Sequence, residues 1–156
     1  MVRRTGKLVT MRGKVKGTAS GNYDAHRISL DDGDNTTAYK IHEFYAWTAD
    51  TVASADGCAV LSTTEEGVTD YAVAVQDAGD NRQIGWAAWI NSSSSGDRDI
   101  TQALLDPDNV VNEDLYIGAY TSSSTTDEVN YLIIAEKIKI NLTENLYTTV
   151  RNYSQG

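Results

Sequence analysis

Apolar and polar positions alternate with period two over most of this chain, the spacing of strands with one face buried. In 7–16, Val9, Met11, Gly13 and Val15 oppose Thr10, Arg12, Lys14 and Lys16, which predicts a strand with one apolar and one basic face. Ile28 and Leu30 alternate with Arg27 and Ser29 ahead of a turn at 31–35. A long strand is expected over 36–48, with Tyr39, Ile41, Tyr45 and Trp47 on one face and Phe44 and Ala46 on the other. Segments 58–62, 71–75, 84–90 and 115–120 are short, apolar and bounded by turn formers, the signature of buried sheet. The last strand, 129–140, carries Leu132, Ile134, Ile138 and Ile140 on one face. Opposite them, Tyr131 and Ile133 give way to Lys137 and Lys139, so this strand is expected to start central and end exposed.

Only the C-terminus has helical spacing. Leu142, Leu146 and Val150 recur at i, i+4 and i+8, Asn141 and Glu144 have the spacing of a capping box, and Arg151 lies in the last turn. The expected fold is mainly β: an antiparallel β-sandwich of about eight strands, jelly-roll-like, with a short helix near 142–153. Residues 1–16 form a basic arm and first strand, and 17–156 form the sandwich domain. The runs Asn91–Gly96 and Thr121–Thr126 are Ser/Thr-rich and are expected to be exposed loops.

At 156 residues the chain fits one domain. It has no apolar run near ~18 residues, so no membrane span is expected. No apolar stretch follows the first charges, so no secretory leader is expected. Cys58 is the only cysteine, which excludes an internal disulfide, and its Gly57, Ala59 and Val60 neighbours suit a small packed side chain.

Charge changes the picture more than composition does. Residues 1–23 carry Arg3, Arg4, Lys7, Arg12, Lys14 and Lys16 and no acid. The other 133 residues carry 22 acids and 7 bases, so +6 sits beside −15 within a net −9. An acidic body repels phosphates over most of its surface and argues against nucleic acid as the partner. The arrangement suits attachment of one chain to another: the six bases are the expected contact arm for the acidic face of a neighbouring copy.

Candidate chemistry is sparse. Asp31-Asp32-Gly33-Asp34-Asn35 and Asp77-Ala78-Gly79-Asp80-Asn81 share the pattern D-x-G-D-N. Asp31, Asp34, Asp77 and Asp80 are thus calcium candidates, because calcium takes clustered hard oxygens. The competing reading is a pair of hairpin turns with Asp and Asn bonded to their own backbone. His26 and His42 have no close His, Cys or carboxylate cluster at ligand spacing, and Glu43 beside His42 points to the opposite face of a strand. Glu65-Glu66 has no identifiable partner for glycoside cleavage, and no nucleophile-elbow, zinc-protease or phosphate-loop motif occurs. No enzyme is expected, and no cofactor beyond calcium. Trp47, Trp86 and Trp89, with nine tyrosines, are candidates for a sugar platform. On a strand, however, Trp86 and Trp89 point to opposite faces.

The leaderless start Met1-Val2-Arg3-Arg4-Thr5-Gly6-Lys7, the Tyr/Trp-bearing β-domain and the long Ser/Thr loops together resemble small structural proteins of tailed or icosahedral viruses of bacteria and archaea. The stretch Leu115-Tyr116-Ile117-Gly118-Ala119-Tyr120 and the following Val129–Lys137 also look like a late hairpin of such proteins. The resemblance implies a virion location and a sandwich repeated as a coat, decoration (cement) or turret subunit. Its partners would be copies of itself and other capsid proteins. The alternative is a carbohydrate- or receptor-binding β-sandwich module of a virion fibre. A small glycosidase or lyase is a third class.

Overall fold

The computed structural model describes residues 3–18, 24–30, 32–49, 56–71, 76–91, 98–122 and 128–153. Within them the alternating segments form β1 (Arg3–Lys16), β2 (His26–Ile28), β3 (Thr37–Thr48), β4 (Gly57–Ser62), β5 (Gln83–Asn91), β6 (Arg98–Leu105), β7 (Leu115–Thr121) and β8 (Glu128–Lys139). Two helices are present among the described residues, α1 (Glu66–Thr69) and α2 (Leu142–Tyr153). Apart from Tyr71, the strand expected at 71–75 lies outside the described residues. So do most of the two Ser/Thr runs, whose Asn91 and Thr121 end β5 and β7.

The strands form two antiparallel sheets, β1-β8-β3 and β2-β7-β4-β5-β6. One hydrophobic core lies between them. The smaller sheet contributes Val15, Ile41, Phe44, Ala46, Val129, Tyr131, Ile133 and Ala135. The larger contributes Ile28, Ala59, Leu61, Ile84, Ala87, Trp89, Leu115, Ile117 and Ala119. Each fully buried Leu, Ile or Phe in such a core stabilises the fold by roughly 1.5–3 kcal/mol.

β1 follows its predicted faces. Val15 is buried and Val9, Met11 and Gly13 are half-buried, whereas Thr10, Arg12, Lys14 and Lys16 are exposed. The residue at position 13 is set by close approach, since a Cβ there would lie 2.8 Å from the Tyr131 hydroxyl. β1 pairs with β8 from Arg3↔Lys139 to Lys16↔Glu128, with an irregularity between Arg4 and Leu8.

β3 departs from the expected faces because a bulge interrupts its pairing with β8 between Ile41 and Glu43. One inserted residue reverses every later side chain. Tyr39 and Ile41 therefore share the core with Phe44 and Ala46, while Tyr45 and Trp47 turn to the outer face. Asn109, after the Pro107 turn, completes the bulge. It accepts a hydrogen bond from the Ile41 amide at 2.8 Å and donates to the Ile41 carbonyl at 3.0 Å.

β8 is central over its whole length, flanked by β1 and β3 even at Lys139. Its end is exposed as expected at Lys139, and Lys137 and Lys139 bond Asp32 and Asp34. β6 was not foreseen from the sequence.

Candidate functional site

The outer face of the smaller sheet brings together three of the six arm residues. Arg12, Lys14 and Lys16 project from alternate positions of β1, opposite Leu132, Asn130 and Glu128 of β8. Across β8, those rows continue to Tyr45 and Trp47 of β3. A groove of about 490 Å³ is lined by Arg12, Gly13, Lys14, Trp47, Asn130, Tyr131 and Leu132. Lys14 meets Glu128 at 3.1 Å with both side chains more than half exposed, a geometry that contributes little stability. Lys7 is exposed beside the irregularity between Arg4 and Leu8. Arg3 and Arg4 belong to β1, and their side chains lie outside the described residues. β1 ends its sheet: one edge pairs with β8, and no strand pairs with the other among the described residues.

The D-x-G-D-N loops are built as turns. In the first, Gly33 takes φ +79° and Asp32 accepts from the Asp34 amide at 2.9 Å. Asp34 accepts from the Thr36 hydroxyl at 2.6 Å and amide at 2.8 Å, and from the Thr37 hydroxyl at 3.1 Å. These bonds, led by the Thr36 hydroxyl, hold its carboxyl well below the usual range. Asp31 lies outside the described residues.

In the second loop Asp77 accepts from the Gly79 amide at 2.8 Å. Asp80, buried, accepts from Arg82 Nη2 at 2.7 Å and Nε at 3.0 Å and from the Tyr71 hydroxyl at 2.7 Å. Arg82 also reaches Asp70 at 2.8 Å. Burial pushes the Asp80 carboxyl up, but the Arg82 hydrogen bonds and charge outweigh it and hold the pKa below its ordinary value. The same burial, reinforced by Asp80, raises that of Tyr71. Among the described residues no group of three or more His, Cys, Asp or Glu could hold a metal.

The other candidates are dispersed. His42, turned by the β3 bulge, meets Glu136 of β8 at 2.8 Å. This carboxylate partner was invisible in the sequence because it lies 94 residues away. His26 sits over Tyr131, ring centroids 6.2 Å apart. Glu65 and Glu66 are exposed at the start of α1. Cys58 is half-buried beside Val60 and Trp86. Trp89 is in the core and donates to the Thr48 hydroxyl at 2.6 Å, while Trp86 packs on the opposite face of β5. Trp47 thus stands with the basic face.

α2 supplies residues whose role the sequence reading missed. Its capping box forms: Asn141 accepts from the Glu144 amide at 2.8 Å, and Glu144 accepts from the Asn141 amide at 3.0 Å. Yet the helix docks through its polar side. Asn152 donates to the Val110 carbonyl at 3.0 Å, and Asn112 donates to the Thr149 hydroxyl at 2.7 Å. The apolar stripe faces solvent, with Leu142 and Leu146 each 66% exposed, Val150 62% and Tyr147 72%. Tyr153, also exposed, donates to Glu113 at 2.7 Å, and that bond pushes its phenol up to about 12. Compared with family models, curated proteins and solved structures, the chain matches none.

Proposed function

We propose that this chain is a structural subunit of a virus particle, a coat or decoration subunit that binds copies of itself and other capsid proteins and has no catalytic task. The observation that carries this reading is the margin of β1. Fourteen residues of strand end a sheet there, and their outward bases stand on an otherwise acidic body. A strand margin offers directional backbone hydrogen bonds to an incoming segment, and the bases select an acidic surface. Long open margins are ordinarily covered or blunted. A neighbouring copy covers this one, and a contact between unlike surfaces repeats into rings or shells when its rotation closes.

The strand order supports a jelly roll as the finer architecture. A rolled four-pair hairpin nests strands 1 with 8, 2 with 7, 3 with 6 and 4 with 5. Ladders join β1 to β8, β2 to β7 and β4 to β5, and β3 lies against β6 without pairing. Jelly rolls serve as capsid domains but also as lectins and cupins, so the fold supports this function without selecting it.

The test is mass photometry and negative-stain microscopy of the full purified chain. Closed rings or capsomers are expected. Replacing Arg12, Lys14 and Lys16 together with Glu should give smaller species of unchanged circular dichroism. A wild type that stays monomeric at high concentration would sink the proposal.

A second reading, the sugar- or receptor-binding fibre module, is favoured by Trp47 at the wall of the groove beside Arg12 and Lys14. A glycan array with and without calcium chelator separates the two readings. The structural role expects no sugar signal in either condition.

A further inference from the structure

We infer that α2 is a two-fold self-association surface, which pairs antiparallel with the α2 of a second copy. This inference rests on the self-assembly reading above and names one of its contacts. Leu142, Thr143, Leu146, Tyr147, Val150 and Tyr153 share the outward side of the helix, and none is charged. Five of them are large apolar or aromatic side chains exposed by 55–72%. Together they present on the order of 600 Å², at the top of the range for a monomer's largest apolar patch. A partner in a standard interface contributes ~800 Å², so this face supplies most of one half.

The charge pattern chooses the occupant. Two copies of net charge −9 repel each other over most approaches. The outward side of α2 is a place where they meet without bringing like charges together. Glu144 and Arg151 border it on the Tyr147 side, and they are seven residues apart, hence at the same heptad position. When two helices run antiparallel, the same flank of each helix faces its counterpart. Glu144 of one copy then lies opposite Arg151 of the other, twice per dimer. In a parallel pair this border would face the other flank, Asn145, Thr149 and Asn152, which is uncharged. Arg151 already bonds Asp106 at 3.1 Å and Glu144 accepts from the Asn141 amide at 3.0 Å, so the contacts across copies add to internal ones.

Shape agrees with charge. A groove of about 400 Å³ runs along the same border, lined by Val110, Ile140, Tyr147 and Thr148 among others. It gives the partner's aromatic side chain an apolar seat. The antiparallel register that matches residue 144 to 151 also brings Leu146 within one residue of level with the partner's Val150.

Sedimentation of the full chain, with two single variants and their combination, tests this. Leu146→Glu and Val150→Lys should each weaken the two-fold contact at least about tenfold in Kd, with unchanged circular dichroism and melting. With Arg12, Lys14 and Lys16 also replaced by Glu to remove the β1 contact, the double variant Leu146→Glu/Val150→Lys should regain association at low salt. Only in the antiparallel pair does the carboxylate introduced at position 146 of one copy face the ammonium introduced at position 150 of the other. Single variants that associate as the wild type does would overturn this inference and leave the β1-based reading standing. Failure of the double variant to recover would overturn the antiparallel register. A wild type monomeric at every concentration would remove both this inference and the proposed function.

Discussion

Asp80 shows how one side chain decides what a motif is for. By composition its loop is a plausible calcium site. In the fold its oxygens are taken by Arg82 and Tyr71, and the loop becomes an anchor for β5. The sequence signal for this pairing is Arg82, two residues on. Removing one partner from such a buried pair costs about 3–5 kcal/mol, so Arg82→Ala should lower the urea midpoint strongly. The pH dependence has a definite sign. The folded pKa of Asp80 lies below its ordinary 3.8, so its stabilisation is complete above about pH 4 and is lost as pH falls through the folded value. Urea titrations at pH 7 and pH 3 should therefore show a loss in the wild type that is smaller in Asp80→Asn.

At the scale of elements, periodicity revealed that strands and a helix exist, but less about what they touch. The β1 faces were legible because alternation there is unbroken and its outward positions are basic. In β3 a single extra residue reverses the second half, and the side chain that stabilises the bulge, Asn109, is 68 residues from Ile41. β6 was missed because the Leu104 and Leu105 of its Arg98–Leu105 sequence break the alternation.

α2 is the sharpest case. Its length and capping box were readable, whereas the side it turns to the body was not, because an apolar stripe fits a core and a partner equally well. Polar docking makes a prediction that the ordinary amphipathic arrangement reverses. Asn152→Ala leaves the Val110 carbonyl without its donor and should cost about 1–3 kcal/mol. Leu146→Gln, on the exposed side, should stay within about 0.5 kcal/mol in the monomer. Denaturation of both variants at low protein concentration distinguishes the arrangements.

The whole molecule presents two unlike surfaces, and salt should separate them. The proposed β1 contact relies on charge against an acidic partner surface, so its association constant should fall as ionic strength rises and the Debye length shrinks from ~10 Å at 0.1 M to ~3 Å at 1 M. The proposed α2 contact relies on burial of Leu, Val and Tyr. Salt also screens the net repulsion between two acidic copies, so this contact should hold or tighten. A contact between unlike surfaces propagates a ring or sheet of subunits, while a two-fold contact joins such rings or closes pairs. With both proposed contacts, distinct species should follow one another as salt is raised: large assemblies at low salt, then dimers held by α2 at high salt. Mass photometry across a salt series should record that order. With Arg12, Lys14 and Lys16 replaced by Glu, dimers should dominate throughout, and with Leu146→Glu the high-salt end should be monomer. Disassembly straight from large species to monomer in the wild type would mean that one surface, and not two, holds the assembly together.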